Sequence, residues 1–425
     1  MAAKITRQPK KIALIGAPSS AAAFLGGSEK APAALRAAGL VERLQAAGYE
    51  VVDHGDCAVR HFAADDENRR ARNLKEIVAG LNDLKTRAEV AVKSGALVLV
   101  LSGDCAQVIG LLTGARRYYK RISLLWFDRD ADLNTPATTP SGRIDGMVVA
   151  HIIGKGAPEL VRFWGEPPLV REPDVTLFGL ERIDAPEQEF LNKSPMRRMS
   201  AADVKAKGAE QAARTTLTAM HADARQVVLH VDTDVIAQEE FRGVNVPGSG
   251  GLSFEDVRGA MIEFVKNPNL LGLDIAQYNP DKDADGSGAK KLVDLLVEAL
   301  TARLRALPEA EAGAAEGGEP GGGPEAKNSG AAATEGSAVT DAPGASESEP
   351  ATHETSSSEN PSTEKSSNEN SSDENTLKDA SADETSSNDN SSDETKTSLS
   401  ESETPSSESE GSSSEGAPES HKTGA

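Results

Sequence analysis

The sequence predicts an α/β fold, a single three-layer domain with a mainly parallel sheet, followed by a disordered C-terminal tail. Three observations carry this expectation. Short apolar, branched runs alternate with longer stretches of helical periodicity, as in a parallel sheet covered on both faces. Acidic residues gather just beyond several of those runs. Composition changes abruptly near Leu307-Pro308: from Glu309 on there are 27 acidic and 5 basic residues, which accounts for the whole net charge of −22.

The candidate strands are residues 12–16, 96–101, 123–128, 175–179, 226–232 and 270–275. Between the first two, Leu74, Ile77, Val78, Leu81, Leu84, Ala88 and Val92 fall on one face of a predicted helix. Ser253-Phe-Glu-Asp256 places an N-cap hydroxyl three residues before an acid, a capping-box signature for a second helix. Leu292, Leu296, Leu300, Leu304 and Leu307 stripe a last helix, which Pro308 ends. These elements place one domain at residues 10–308.

Residues 309–425 contain no Phe, Trp, Tyr, Ile, Met or Cys. Such a segment cannot bury enough apolar area to offset roughly 1–2 kcal/mol of backbone entropy per residue, so it is expected to be disordered. The near-copies Ser371-Ser-Asp-Glu-Asn375, Ser381-Ala-Asp-Glu-Thr385 and Ser391-Ser-Asp-Glu-Thr395 lack an apolar face and read as low complexity. A solvated spacer is the plain reading, and a docking arm for a basic protein partner is the functional one. The domain itself has balanced charge, which points away from nucleic acid and from a membrane surface. No apolar run approaches the ~20 residues needed to span a bilayer. With only Cys57 and Cys105, a disulfide framework is excluded, and a cytoplasmic location is expected.

In such folds ligands bind beyond the carboxyl ends of the strands. Three polar clusters fall there: Gly103-Asp-Cys105, Asp128-Arg-Asp-Ala-Asp132 and Asp232-Thr-Asp234. One acid at a loop start often serves only as a helix cap. Three clusters on one rim imply compensating metals or buried arginines, because crowded carboxylates raise one another's pKa.

The order of motifs resembles the arginase, agmatinase and formiminoglutamase family over nearly all of residues 12–308. The matching segments are Ile15-Gly-Ala-Pro18, Ser102-Gly-Asp-Cys105, Trp126-Phe-Asp-Arg-Asp-Ala-Asp-Leu-Asn134, Thr138-Thr-Pro-Ser141, His230-Val-Asp-Thr-Asp234 and Leu273-Asp-Ile-Ala-Gln277. The resemblance implies an arginase-like fold and a site for two manganese ions that activate water for attack on a guanidinium carbon. Carried over by position, Asp128 and Asp232 bridge the metals, with Asp132 and Asp234 terminal. The family's two histidine ligands are replaced by Cys105 and Asp130. Its proton-shuttling histidine is Asp145 here, and the glutamate that pairs with the substrate guanidinium is Gln277. The family's amino-acid grip resembles Asn134, Thr139 and Ser141, with Asp184 near the acid that receives an α-amino group.

Five carboxylates and a thiol in place of four carboxylates and two imidazoles leave an excess of negative charge. An all-oxygen set favours Mg, Mn or Ca, whereas Cys105 pulls toward Zn or Fe. The alternative compensation is a buried arginine. Strand alternation turns Arg129 away from Asp128 and Asp130, which leaves Arg143 as the better candidate. Cys105 also reads as a small buried hydrophobe. His230 shares a strand face with Asp232, so it is either a substitute base or a hydrogen-bonded core histidine. Gly248-Ser-Gly-Gly251 has no following Lys-Ser/Thr and is not a phosphate loop. The resemblance therefore implies a divergent metal-dependent hydrolase of a C–N bond in a linear amidine or guanidino compound, commonly a homo-oligomer. The alternative is a catalytically impaired pseudoenzyme acting as a binding or regulatory subunit.

Removing residues 309–425 should leave folding intact, with a melting temperature within a few degrees of the full chain. A larger drop would show that the tail packs on the domain.

Overall fold

The computed structural model describes residues 5–223 and 225–306. Its strands are β1 (Lys11–Ala17), β2 (Glu50–Asp56), β3 (Leu97–Ser102), β4 (Ile122–Phe127), β5 (Val175–Leu180), β6 (Arg197–Ser200), β7 (Gln226–Asp232) and β8 (Leu270–Ala276). They form one sheet in the order β2-β1-β3-β8-β7-β4-β5-β6, with every neighbouring pair parallel. The expected disordered segment 309–425 and the stripe's last leucine, Leu307, lie outside the described residues.

Successive residues of the central strands enter two separate cores. Leu99, Leu101, Leu125, Phe127, Leu229 and Leu273 face one, while Val98, Val100, Leu124, Trp126, Val228 and Leu271 face the other. Burial on both faces is why these strands read as unbroken apolar runs. The first core is closed by the helices Ala31–Ala37, Leu40–Ala46, Phe254–Lys266 and Ser287–Ala306 through Leu35, Leu44, Phe264, Leu292, Leu296 and Leu300. The second is closed by Leu74–Lys93 and Val108–Arg116 through Ile77, Leu81, Leu84 and Leu111. The predicted capping box is formed: Ser253 Oγ accepts from Asp256 N at 3.0 Å, and Asp256 Oδ2 accepts from Ser253 N at 3.1 Å.

All six predicted strands are present, and two more lie at the sheet edges. β2 reads Glu-Val-Val-Asp-His-Gly-Asp and β6 reads Arg-Arg-Met-Ser, both partly exposed. Edge strands blunted by charge carry too little apolar pattern to be distinguished from loops.

The strand order decides where the site lies. The chain leaves β3 and builds β4 three places away, and β7 and β8 later fill the two places between. The carboxyl ends of β3, β8, β7 and β4 therefore stand side by side at a topological switch point. The opposite end is tied by buried Asp174, which accepts from Arg121 (2.7 and 2.9 Å), Arg171 (2.9 and 3.0 Å) and Arg225 (2.7 Å). Arg121 precedes β4, Asp174 precedes β5 and Arg225 precedes β7, so one carboxylate clamps three strands.

Burial opposes ionisation of Asp174, yet the guanidiniums of Arg121 and Arg171 outweigh it and hold its pKa below 3.8. A depressed carboxylate contributes stability that is complete above the unfolded pKa and lost as pH falls through the folded one. Asp174→Asn should lower unfolding stability by about 2 kcal/mol at pH 7, solvent at the arginines keeping the figure modest. In denaturant titrations the gap between variant and wild type should shrink below pH 3.8. A gap independent of pH would contradict this account.

Candidate metal and active site

Each cluster is built by a loop that begins where a central strand ends. After β3, Gly103 passes so close to the 19–28 segment that a Cβ there would meet Ser19 O at 2.1 Å. Buried Asp104 fastens the same loops, accepting from Ser19 Oγ (2.5 Å), Ala22 N (3.2 Å) and Gln107 Nε2 (3.0 Å). Cys105 follows, its backbone N donating to Asp145 Oδ1 at 2.9 Å and its Sγ to Asp232 Oδ2 at 2.8 Å.

The same short turn recurs after β4 and β7. Asp128 Oδ1 accepts from Asp130 N at 2.7 Å, and Asp232 Oδ1 accepts from Asp234 N at 2.8 Å. Both turns fix the first carboxylate by one oxygen; the other oxygen is free in Asp128, whereas in Asp232 it accepts from Cys105 Sγ and Gln277 Nε2. Asp128 Oδ2 and Asp234 Oδ1 are buried with no hydrogen-bond partner among the described residues. One oxygen from each of Asp128, Asp232 and Asp234 lies within 4.8 Å of the other two. Burial first, and neighbouring carboxylates second, push Asp128, Asp132 and Asp234 well above the usual carboxylate range. The same causes raise the Cys105 thiol. Nearby cations reverse that balance.

Asp145 and Gln277 complete the floor. Gln277 Nε2 donates to Asp145 Oδ2 and Asp232 Oδ2, both at 3.0 Å, while Gln277 Oε1 has no partner among the described residues. Asp130 Oδ2 forms an ion pair with Arg182, while its Oδ1 is buried without a partner among the described residues. Arg129 is buried over Gly248, where a Cβ would fall 1.4 Å from its Nη1, and its charge acts on Asp130 and Asp234. The expectation for Arg143 is thus corrected: its Nη1 donates to Ala63 O at 2.8 Å and its guanidinium lies over the Phe62 ring. Alternation misled the reading because β4 ends at Phe127, before the residues in question.

A cavity of about 220 Å³ opens above the carboxylates. Asp128, Asp130, Asp132, Asn134, Thr139, Ser141, Asp145, Asp184, Asp232, Asp234 and Gln277 all line it. At its outer end Asn134 Nδ2 donates to Asp184 Oδ2 at 2.8 Å, and Thr139 Oγ1 accepts from Gly142 N at 2.9 Å. Cys105 and His230 lie beneath the lining. His230 is fully buried, stacked on Trp126 with ring centroids 3.8 Å apart, and its Nδ1 meets Asp274 Oδ2 at 2.7 Å. Arg182 and Glu187 also line the cavity and were not singled out from sequence. Glu187 Oε1 accepts from Leu133 N and Asn134 N, holding the loop that carries Asn134. Its place, three residues after Asp184 at a helix start, is the signal that could have found it.

A family model described as the arginase family matches residues 10–302. The chain is 31% identical over 280 residues to Arginase-1 of Rattus norvegicus, covering 65% of this chain and 87% of that one. It is 30% identical over 296 residues to the arginase of Bacillus subtilis, covering 69% and 99%. Among solved structures, arginase from Bacillus cereus superposes with a TM-score of 0.62 at 29% identity, covering 68% and 98%.

Gln277→Glu removes the amide donations to Asp145 and Asp232 and adds a further buried carboxylate. In chelator this should cost about 2–3 kcal/mol in urea unfolding, with manganese restoring part of it. Unchanged stability in chelator would mean that the amide does not neutralise this floor.

Proposed function

This chain belongs to the arginase family, and from that premise we propose that it is a divergent metal-dependent hydrolase of a C–N bond in a linear amidine or guanidino compound. The observation that carries the reading is the set of three buried, unpartnered oxygens, Asp128 Oδ2, Asp130 Oδ1 and Asp234 Oδ1, around one cavity. Buried carboxylate oxygens without donors are costly, and a hard divalent cation is what they lack. Asp128, Asp232 and Asp234 would hold such an ion, manganese by family resemblance, with Asp130 and Asp132 beside them. When bound, the ion supplies Lewis acidity and activates water.

The remaining roles fall to side chains of the cavity. Asp145 is the carboxyl group placed to exchange a proton with a substrate nitrogen. Gln277 Oε1 is a neutral acceptor for a substrate N–H, which disfavours a fully charged guanidinium relative to a glutamate by about 1.5–3 kcal/mol. Asn134, Thr139, Ser141 and Asp184 form the polar outer end that an amino-acid backbone fits. Buried His230 is poorly placed for proton transfer because it does not line the cavity.

The pseudoenzyme reading is favoured by a different observation. Asp232 Oδ2 accepts from both Cys105 Sγ and Gln277 Nε2, so internal donors already satisfy the oxygen expected to bridge two metals.

Chelator-stripped protein should bind manganese, gaining about 2.7 kcal/mol at a hundredfold excess over Kd, and Asp234→Asn should abolish the gain. The loaded protein should release urea or ammonia from at least one member of a panel of amidines and guanidino acids. Metal binding without turnover supports the pseudoenzyme; no metal binding removes the hydrolase reading.

A further inference from the structure

We propose that Cys105, Asp128 and His230 form a thiolate, carboxylate and imidazole site for one borderline-soft dication of the zinc type. The proposal rests on the reading of this rim as a cation site, but assigns it a different metal class and a ligand from another strand. Position 105 lost the imidazole that the family pattern carries there. β7 supplies one instead, from the residue two before Asp232.

The geometry of His230 is that of a ligand held ready. It is flanked in register by Trp126 of β4 and Asp274 of β8. Stacking on Trp126 fixes the ring plane. Nδ1 donates to Asp274 Oδ2 at 2.7 Å, and the other oxygen of Asp274 accepts from Ser102 Oγ. An ionised carboxylate only accepts, so in the neutral ring, the form that binds a metal, the proton sits on Nδ1 and Nε2 carries the lone pair. Nε2 is buried with no partner among the described residues, as is Asp128 Oδ2. A ring nitrogen of His230, Cys105 Sγ and an oxygen of Asp128 lie within 4.8 Å of one another.

Ligand atoms on one tetrahedral zinc stand about 3.3–3.8 Å apart for bonds of about 2.0–2.3 Å, so closure by about 1 Å completes the set. A carboxylate behind a histidine is the recurrent support for a metal-binding imidazole. Sulfur and imidazole prefer zinc to manganese. The thiol proton, now given to Asp232, leaves to solvent as the metal binds.

The test uses the full chain, stripped of metal under reducing conditions and loaded with one equivalent of zinc or cobalt(II). Cobalt should give a sulfur-to-metal charge-transfer band that Cys105→Ser abolishes and Cys57→Ser leaves intact. His230→Gln should weaken zinc binding at least tenfold while leaving the manganese response of the Asp234 site in place. Asp274→Asn should weaken it 10–100-fold. X-ray absorption of the zinc-loaded wild type, which needs no variant to fold, should show sulfur and imidazole in the coordination shell. A shell without sulfur or without imidazole overturns the proposal even if manganese binds. Absence of binding by zinc, cobalt and manganese alike overturns both this proposal and the cation reading beneath it.

Discussion

The molecule is organised around one constraint: several carboxylates must be buried together where four strands of a parallel sheet end. Parallel sheets aim their strand ends at one rim, and this chain loads that rim with acids. Each is fastened by its own loop or by a loop from a neighbouring strand. Asp128 and Asp232 take the backbone N–H two residues on, and Asp130 takes Arg182. Asp145 and Asp232 share the Gln277 amide. Both oxygens of Asp145 and of Asp232 are hydrogen-bonded, whereas Asp128, Asp130 and Asp234 each keep a buried oxygen without a partner among the described residues, so the unmet need for a cation lies among those three.

That constraint makes Cys105, Asp145 and Gln277 interdependent. Cys105 and Gln277 both donate to Asp232, and Cys105 N and Gln277 Nε2 both donate to Asp145. Placing a glutamate at Gln277 or an imidazole at Cys105 leaves the neighbouring groups arranged for a donor that is no longer there. Changes in such a cluster couple, and their effects are not additive.

Much of this was legible in the sequence. Runs such as Leu97–Ser102 and Gln226–Asp232 announce themselves because burial on both faces leaves no polar alternation, and the acids at their ends mark the rim. β2 and β6 were not legible, since an edge strand is held by its neighbour's backbone and not by its own side chains. At the site, the polar clusters at strand ends and the family resemblance together named residues that line one cavity, but not which way they turn. Arg129 and Arg143 exchanged their expected places because the strand pattern stops at Phe127. The partnership of His230, Asp274 and Ser102 was invisible for another reason: it joins three strands, and nothing in the local sequence of any one names the other two.

The strand order also sets when the site can exist. Cys105 and Gln277 are 172 residues apart, as are Ser102 and Asp274. β3 and β4 emerge early during synthesis with a gap between them that only β7 and β8 fill. Until β7 is made, β3 and β4 present unpaired backbone edges to each other across that gap, and until β8 is made β3 and β7 do. Closing so long a loop is entropically slow, and open strand edges invite association with other chains. A nascent chain of this fold is therefore exposed longest at its centre, where the finished protein is most deeply buried, and the carboxylates that follow β4 and β7 cannot share a cation before β7 arrives.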